Sequence, residues 1–371
     1  MDSLTQALLG ASVQGALLGR WQGRKALLYG AALATLPDLD VLIDYGDPVA
    51  EMTYHRGFSH SLLVLGALSL ALTWLIRRWR PHPGYSAGRL LATLALVLGT
   101  HVLLDAFTSY GTQLLWPLIT PPAAWSSLFI IDPLYSVPLL LAVLVGLFAG
   151  RRLVRASALA LGVSTLYIGF SLAAQQVAER RVAAELARQG IRAETLFVAP
   201  TPFNTLLWRV VAVDGERYHE AVTGLFDRRP PQLQALPRGS TLAEALADSP
   251  QHARLHWFSG GVLRYDAIDG QLVVTDLRLG MTGFHPFRFV LAERHDGQWR
   301  LLPDSRRWPV ERGGRAELAQ LWQRLRQPDG DLPLAQWAAP LGQTGQPQTG
   351  GTNPSPGHDN AASVATRRGS D

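Results

Sequence analysis

The 371-residue chain contains no cysteine, which excludes disulfides and thiolate metal sites and leaves the redox state of its compartment unread. Charge is also scarce. Asp, Glu, Lys and Arg make up 17% of the residues against an apolar share of 47%, a balance uncommon in a wholly soluble protein. The opening MDSLTQALLG lacks the basic n-region of a cleaved signal peptide, so this stretch is expected to stay in the mature chain. The net charge of +5 does not call for a nucleic-acid partner, because the arginines of the first half sit in short loops between apolar runs.

The apolar residues concentrate before about residue 175, in runs at 4–19, 26–43, 60–76, 90–107, 134–149 and 156–174. Each run approaches the ~20 residues that cross a bilayer, and a soluble helical core would struggle to hide six of them. Gly10, Ser12, Gln14 and Gly15 dilute the first run, which either spans or packs inside the bundle. The expectation for residues 1–174 is an α-helical multi-pass membrane bundle of five or six spanning segments.

Basic residues mark alternate loops: Arg20, Arg24 and Lys25, then Arg77, Arg78, Arg80 and Arg89, then Arg151, Arg152 and Arg155. The positive-inside rule puts these loops in the cytoplasm. Loops 44–59 and 108–133 hold one basic residue, Arg56, and are expected to face outward, as is everything after residue 175. Trp74, Trp79, Trp116 and Trp125 fall near segment ends, where indole rings favour the headgroup layer. Asp132 before Pro133 reads as a helix start.

In the second half, LWRVVAV, RLHWFS, LVVTDLRL and FRFVLAE are rich in β-branched and aromatic residues and predict strands. Residues 175–340 are therefore expected to form a small β-rich α+β soluble domain, extracytoplasmic, with a helical linker at 175–189 and a helix near 315–327. The composition of 341–371, including GQTGQPQTGGTNPSPGHDN, predicts a disordered tail.

Ionisable residues stand at the ends of three apolar segments. Asp38 and Asp40 belong to PDLD, where Pro37 disfavours helix at Leu36, so an extended chain would point both carboxylates to one side. His55 and His60 belong to YHRGFSHS, with His55 placed in the loop, Ser59 as N-cap and His60 in the first helical turn. His101 and Asp105 in HVLLD share a helical face inside an apolar run, where an ionisable side chain costs about 2.5–3.5 kcal/mol and needs a partner or cavity. By topology all three groups reach the same outer face.

That convergence predicts a shared metal site drawn from Asp38, Asp40, His55, His60, His101 and Asp105. Imidazoles and carboxylates without thiolate suit a divalent ion: zinc first, with manganese and iron also compatible. Six candidates exceed the three protein ligands of a typical catalytic zinc, so either two ions share them or some support the ligands from outside. Asp38 or Asp40, where not committed to metal, is the expected general base. Arg56 is placed either to bind an anionic group such as phosphate or to anchor on lipid headgroups.

MDSLTQALLGA, LPDLD at 36–40, HRGFSHS at 55–61 and HVLLDAFTSYGTQLLWP at 101–117 together resemble the bacterial YdjM-type inner-membrane proteins, the DUF457 family of membrane-bound metal-dependent hydrolases. The resemblance implies a metal site at the same six residues, and hydrolysis as the activity. Many relatives carry a histidine early in the first segment, where this chain has Gln6; Asp2 and Gln6 are then expected to support the ligands rather than join them. The second half resembles the outer domain of a branch of that family through APTPFNTLLWRVV and VVTDLRLG. Asn204, Arg209, Asp276 and Arg278 would either reach the site as an anion clamp or, for Asp276 and Arg278, pair within their own domain.

The function these readings predict is hydrolysis, at the outer membrane face, of a phosphoester or lipid-linked substrate. The alternative is a non-catalytic scaffold or a metal transporter with a structural site; a transporter would set its ionisable residues along a route near the midplane.

Overall fold

The computed structural model describes residues 1–310 and 313–342. Seven helices make up the first half: α1 Ser3–Gln22, α2 Lys25–Ala34, α3 Pro48–Tyr54, α4 Leu62–Trp79, α5 Ala87–Ala106, α6 Pro133–Phe148 and α7 Leu153–Arg188. Three helical stretches are long and apolar enough to cross a membrane: α4, α5, and the unit Gly150–Arg188 that contains α7. Helices α2 and α6 are apolar but shorter, at 10 and 16 residues. The single run at 26–43 is thus corrected: helix stops at Ala34, and the chain folds into a 3₁₀ turn over Pro37–Leu42. Leu36 keeps helical dihedrals there, so the expected extended strand is absent and Asp38 and Asp40 diverge around the turn.

Helix α1 is the axis of the bundle. Thr5, Gln6, Ser12 and Gln14 are buried along it, and it packs against α2, α5, α6 and α7. The polar residues that diluted the first run are therefore interior. Helix α4 opens immediately after the histidine stretch and α5 closes on HVLLDA, so both present the same end to the site. The basic loops meet at the opposite end, where the Arg89 guanidinium lies 4.9 Å from the Trp21 ring centroid. Asp132 caps α6 as expected, its Oδ1 accepting from the Leu134 and Tyr135 amides.

Helix α7 continues without a break over 36 residues, taking in the expected linker. Its last turns bury Ala174, Ala178, Val182 and Leu186 against Trp208 and Val210 of the β-rich half. That half holds two antiparallel four-stranded meanders: β1 Thr195–Pro200, β2 Leu207–Asp214, β3 Arg217–Gly224 and β4 Gln234–Pro237, then β5 Leu263–Ile268, β6 Gln271–Asp276, β7 Arg288–His295 and β8 Gln298–Arg307. In the second sheet, Asp269-Gly270 and Asp296-Gly297 form two-residue hairpin turns, with both residues of each pair at positive φ.

RLHWFS is helical rather than extended. It forms the end of α8 Pro250–Ser259, started by Ser249 as N-cap and Pro250 at the first position. Another helix, α9 Arg315–Arg326, lies where 315–327 was expected. The expected disordered tail lies outside the described residues from 343 onward.

Helix α3 ties the halves together. Val49 and Met52 are fully buried in the core that contains Leu255, Phe258 and Phe289, each worth about 1.5–3 kcal/mol on burial. Asp47 caps α3 and also accepts the Ser305 amide of β8 at 2.6 Å.

Candidate metal centre

Three separate pieces of chain bring four side chains to one point. The turn before α4 supplies His60, the turn after α2 supplies Asp38, and the last two helical turns of α5 supply His101 and Asp105. One ligating atom from each lies within 4.8 Å of the other three. His60, His101 and Asp105 are fully enclosed, whereas the Asp38 side chain keeps 21% of its surface open.

His60 does not sit in the first turn of α4. It ends a 3₁₀ turn over Phe58–His60, and Ser61, not Ser59, is the N-cap, accepting from the Leu63 and Val64 amides. Ser59 has another task that the sequence reading missed. Its hydroxyl donates to Asp40 Oδ2 at 2.6 Å and stands 2.9 Å from His60 Nδ1. A hydroxyl whose hydrogen is committed to a carboxylate can only accept from Nδ1, so the proton of His60 belongs on Nδ1 and its Nε2 lone pair is free.

Nε2 of His60 faces Nε2 of His101 at 3.3 Å. Asp38 Oδ1 lies 3.5 and 3.4 Å from these two nitrogens, and Asp105 Oδ2 lies 3.2 and 3.7 Å from them. Four-coordinate zinc with bonds of ~2.0–2.1 Å requires ligand atoms about 3.4 Å apart, so the donor set and its spacings fit such an ion. Asp105 Oδ2 is also buried without a hydrogen-bond partner, with the Arg56 Nε 3.3 Å away, which leaves its lone pairs available to an ion.

Gln6 donates from Nε2 to Asp105 Oδ1 at 3.0 Å and to the His101 carbonyl at 3.2 Å. The Met1 nitrogen contacts the same Oδ1. Asp2 instead caps α1 through the Thr5 amide and hydroxyl.

His55 and Asp40 form a second unit beside the four. His55, at the C-cap of α3, holds its Nδ1 2.9 Å from Asp40 Oδ1. Asp40 Oδ2 also accepts the Arg56 amide at 2.9 Å. Asp40 thus meets three partners, His55, Ser59 and the Arg56 amide, through its two carboxylate oxygens.

Arg56 is buried, and it takes a left-handed φ of 61°, a conformation few bulky residues adopt. The Asp40 bond to its amide and the Gln113 amide on its carbonyl hold it there. Its Nε lies 3.3 Å from Asp105 Oδ2, too poorly aligned for a hydrogen bond, and its guanidinium faces the Tyr110 ring at 5.0 Å. Arg56 therefore serves Asp105; it is not at the lipid surface.

The four residues expected from the second half are occupied elsewhere. Asp276 and Arg278 pair with each other at 2.7 Å. Arg209 is buried against Glu220 and donates to the Leu277 carbonyl, and Asn204 organises its own loop through the Leu206 and Leu207 amides.

Residues 1–178 match the sequence profile of the family described as YdjM inner membrane protein. The chain is similar to the uncharacterized protein YfhP of Bacillus subtilis (strain 168), at 24% identity over 80% of this chain and 92% of that one. It is also similar to the inner membrane protein YbcI of Escherichia coli (strain K12), at 36% identity over 25% of this chain and 54% of that one. No solved structure matches. The segments that carry Asp38, His60, His101 and Asp105 thus lie within residues 1–178, the stretch of this chain that matches the YdjM inner membrane protein family.

Proposed function

We propose that the protein is a multi-pass, metal-dependent hydrolase of the bacterial inner membrane, acting at the outer face on a phosphoester or lipid-linked substrate. One observation carries the reading: two imidazole nitrogens and two carboxylate oxygens, held at ion-binding spacings, with one edge open through Asp38. Asp38, His60, His101 and Asp105 would hold the ion, zinc first. When bound, it supplies Lewis-acid polarisation of the electrophile and lowers the pKa of a water to about 7.

The remaining chemistry falls to the second unit. With Nδ1 bound to Asp40, His55 has its Nε2 free on the open side, and the pair is arranged to accept a proton from a nucleophile and return it to a leaving group. Asp40 orients the ring and balances its charge while protonated. Arg56 compensates Asp105 and fixes the loop that carries His55.

The spanning assignment takes α1, α2 with its turn, α4, α5, α6 and α7 as five or six crossings. The basic loops lie at the end away from the site, which supports an outward-facing centre and an extracytoplasmic second half. The site's position at one end of the bundle also favours surface chemistry over transport, which needs groups along a path.

Detergent-purified protein should contain stoichiometric divalent metal and cleave members of a phosphoester and lipid panel in a chelator-sensitive way. His60→Ala and Asp105→Ala should lose both properties. If those variants keep their metal and full activity, the site assignment fails.

A further inference from the structure

A cleft of about 380 Å3 opens beside the Asp40–His55 pair, within the range of small-molecule sites. Both halves of the chain build it: Tyr110 and the turn 41–45 come from the membrane half, and Phe287 and Arg307 come from the β-rich half. Arg307, the last residue of β8, brings the one Arg or Lys side chain among the lining residues, and it remains 54% exposed. It rests on Glu51 of α3 at 2.9 Å.

We infer that Arg307 is the anion-binding residue of this cleft, seating the phosphate of a lipid-borne ester beside His55 while Glu51 holds it in the empty site. The inference rests on the hydrolase reading only for what happens after binding. Arg56, the sequence candidate for this role, is buried against Asp105, so the anion must be met by another cation. Asp40 is no competitor for Arg307, since His55, Ser59 and the Arg56 amide occupy both its oxygens.

Exposed ion pairs such as Glu51–Arg307 contribute little net stability, so a phosphate offering two oxygens to the guanidinium displaces Glu51 readily. Tyr45 lines the same cleft with a buried hydroxyl that has no hydrogen-bond partner among the described residues. On the membrane side, Val41 and Leu42 are 72% and 79% exposed, an apolar flank next to a charged mouth. That combination fits an amphiphile whose chains leave past Val41 and Leu42 and whose phosphate turns inward. A free phosphoester would use the mouth alone.

Two probes separate the sources: a short-chain phosphatidic acid, and glycerol 3-phosphate, its chain-free counterpart. Binding is read by 31P line broadening on full-length protein in phosphate-free detergent, with each variant checked by thermal melting. Arg307→Gln should weaken phosphatidic acid binding by about tenfold or more, Glu51→Gln should tighten it severalfold, and Leu42→Ser should weaken the lipid probe alone. Equal effects of Leu42→Ser on both probes, or tighter binding of the chain-free one, would overturn the lipid assignment. The anion site falls if Arg307→Gln binds like wild type, if Glu51→Gln weakens binding as Arg307→Gln does, or if wild type binds neither probe. Arg307-dependent binding without cleavage of any ester would instead sink the hydrolase reading and leave this one standing.

Discussion

The close approach of α1 and α2 at Gly10 offers a test that needs no substrate. A Cβ added at Gly10 of α1 would lie 2.3 Å from the Ala34 Cβ and 2.4 Å from the Gly30 carbonyl oxygen of α2. Carbon contacts settle at about 3.5–4.0 Å, so Gly10→Ala obliges the two helices to part by about 1 Å. Ala34 ends α2 only four residues before Asp38, and Asp38 Oδ1 stands 3.4 and 3.5 Å from the two histidine nitrogens. Moving that oxygen by about 1 Å takes it out of range of an ion held by the other three ligands. The expected result is a loss of about 1–3 kcal/mol in stability and of about 10–100-fold in metal affinity, the scale found when supporting groups are disturbed. Zinc titration of stripped protein against a competing chelator, with melting followed in parallel, measures both. Gly99→Ala is the control, because no atom lies within 4 Å of its added Cβ. Wild-type zinc affinity and melting in Gly10→Ala, or an equal loss in Gly99→Ala, would refute the reasoning.

Two further outcomes follow from the charge pairs. Arg56→Gln leaves Asp105 buried with the Met1 nitrogen as its remaining cationic neighbour, so metal-free protein should lose about 1–3 kcal/mol; adding zinc should restore much of it, and a loss indifferent to zinc would show that Arg56 and the ion do not share Asp105. In the β-rich half, Asp227 is buried with Arg324 and accepts the Gly224 and Asp329 amides at 2.7 and 3.0 Å. Burial pushes its pKa up, but Arg324 and the two amides pull it further down. A carboxyl with a depressed folded pKa stabilises above its unfolded value of about 3.9 and loses that contribution as pH falls through the folded one. Asp227→Asn should therefore melt below wild type at neutral pH, by about 1–3 kcal/mol, and the two curves should converge on acidification; a constant gap down to the acid range would contradict the pairing.

Much of the site could be read from the order of the segments. Counting crossings brought PDLD, the histidine stretch and HVLLD to one end, and the spacing of His101 and Asp105 put both on one helical face. What the reading lacked was curvature at the segment ends. A hydropathy window treats 26–43 as one run, whereas Pro37 starts a 3₁₀ turn that sends Asp38 to the two histidines and Asp40 to His55. Ser59 looked like an N-cap because caps are commonly serine, yet Ser61 is the same residue type two positions on, and only tertiary contacts separate their tasks. RLHWFS carries strand-forming residues, but Ser249-Pro250 upstream already marked a helix start. Arg307 gave no signal at all, since it meets Glu51 across 256 residues of chain.

Helix α7 sets a further constraint. Thirty-six residues rise about 54 Å against a hydrocarbon layer of about 30 Å, so a crossing by its apolar part would leave roughly 24 Å outside the lipid as a stalk. Nothing in that stalk is jointed: no proline interrupts it, and its far end is packed into the first sheet. The β-rich half is thus held at two places, by the end of α7 and by α3, so the Glu51–Arg307 contact beside the metal centre joins two parts that must move together.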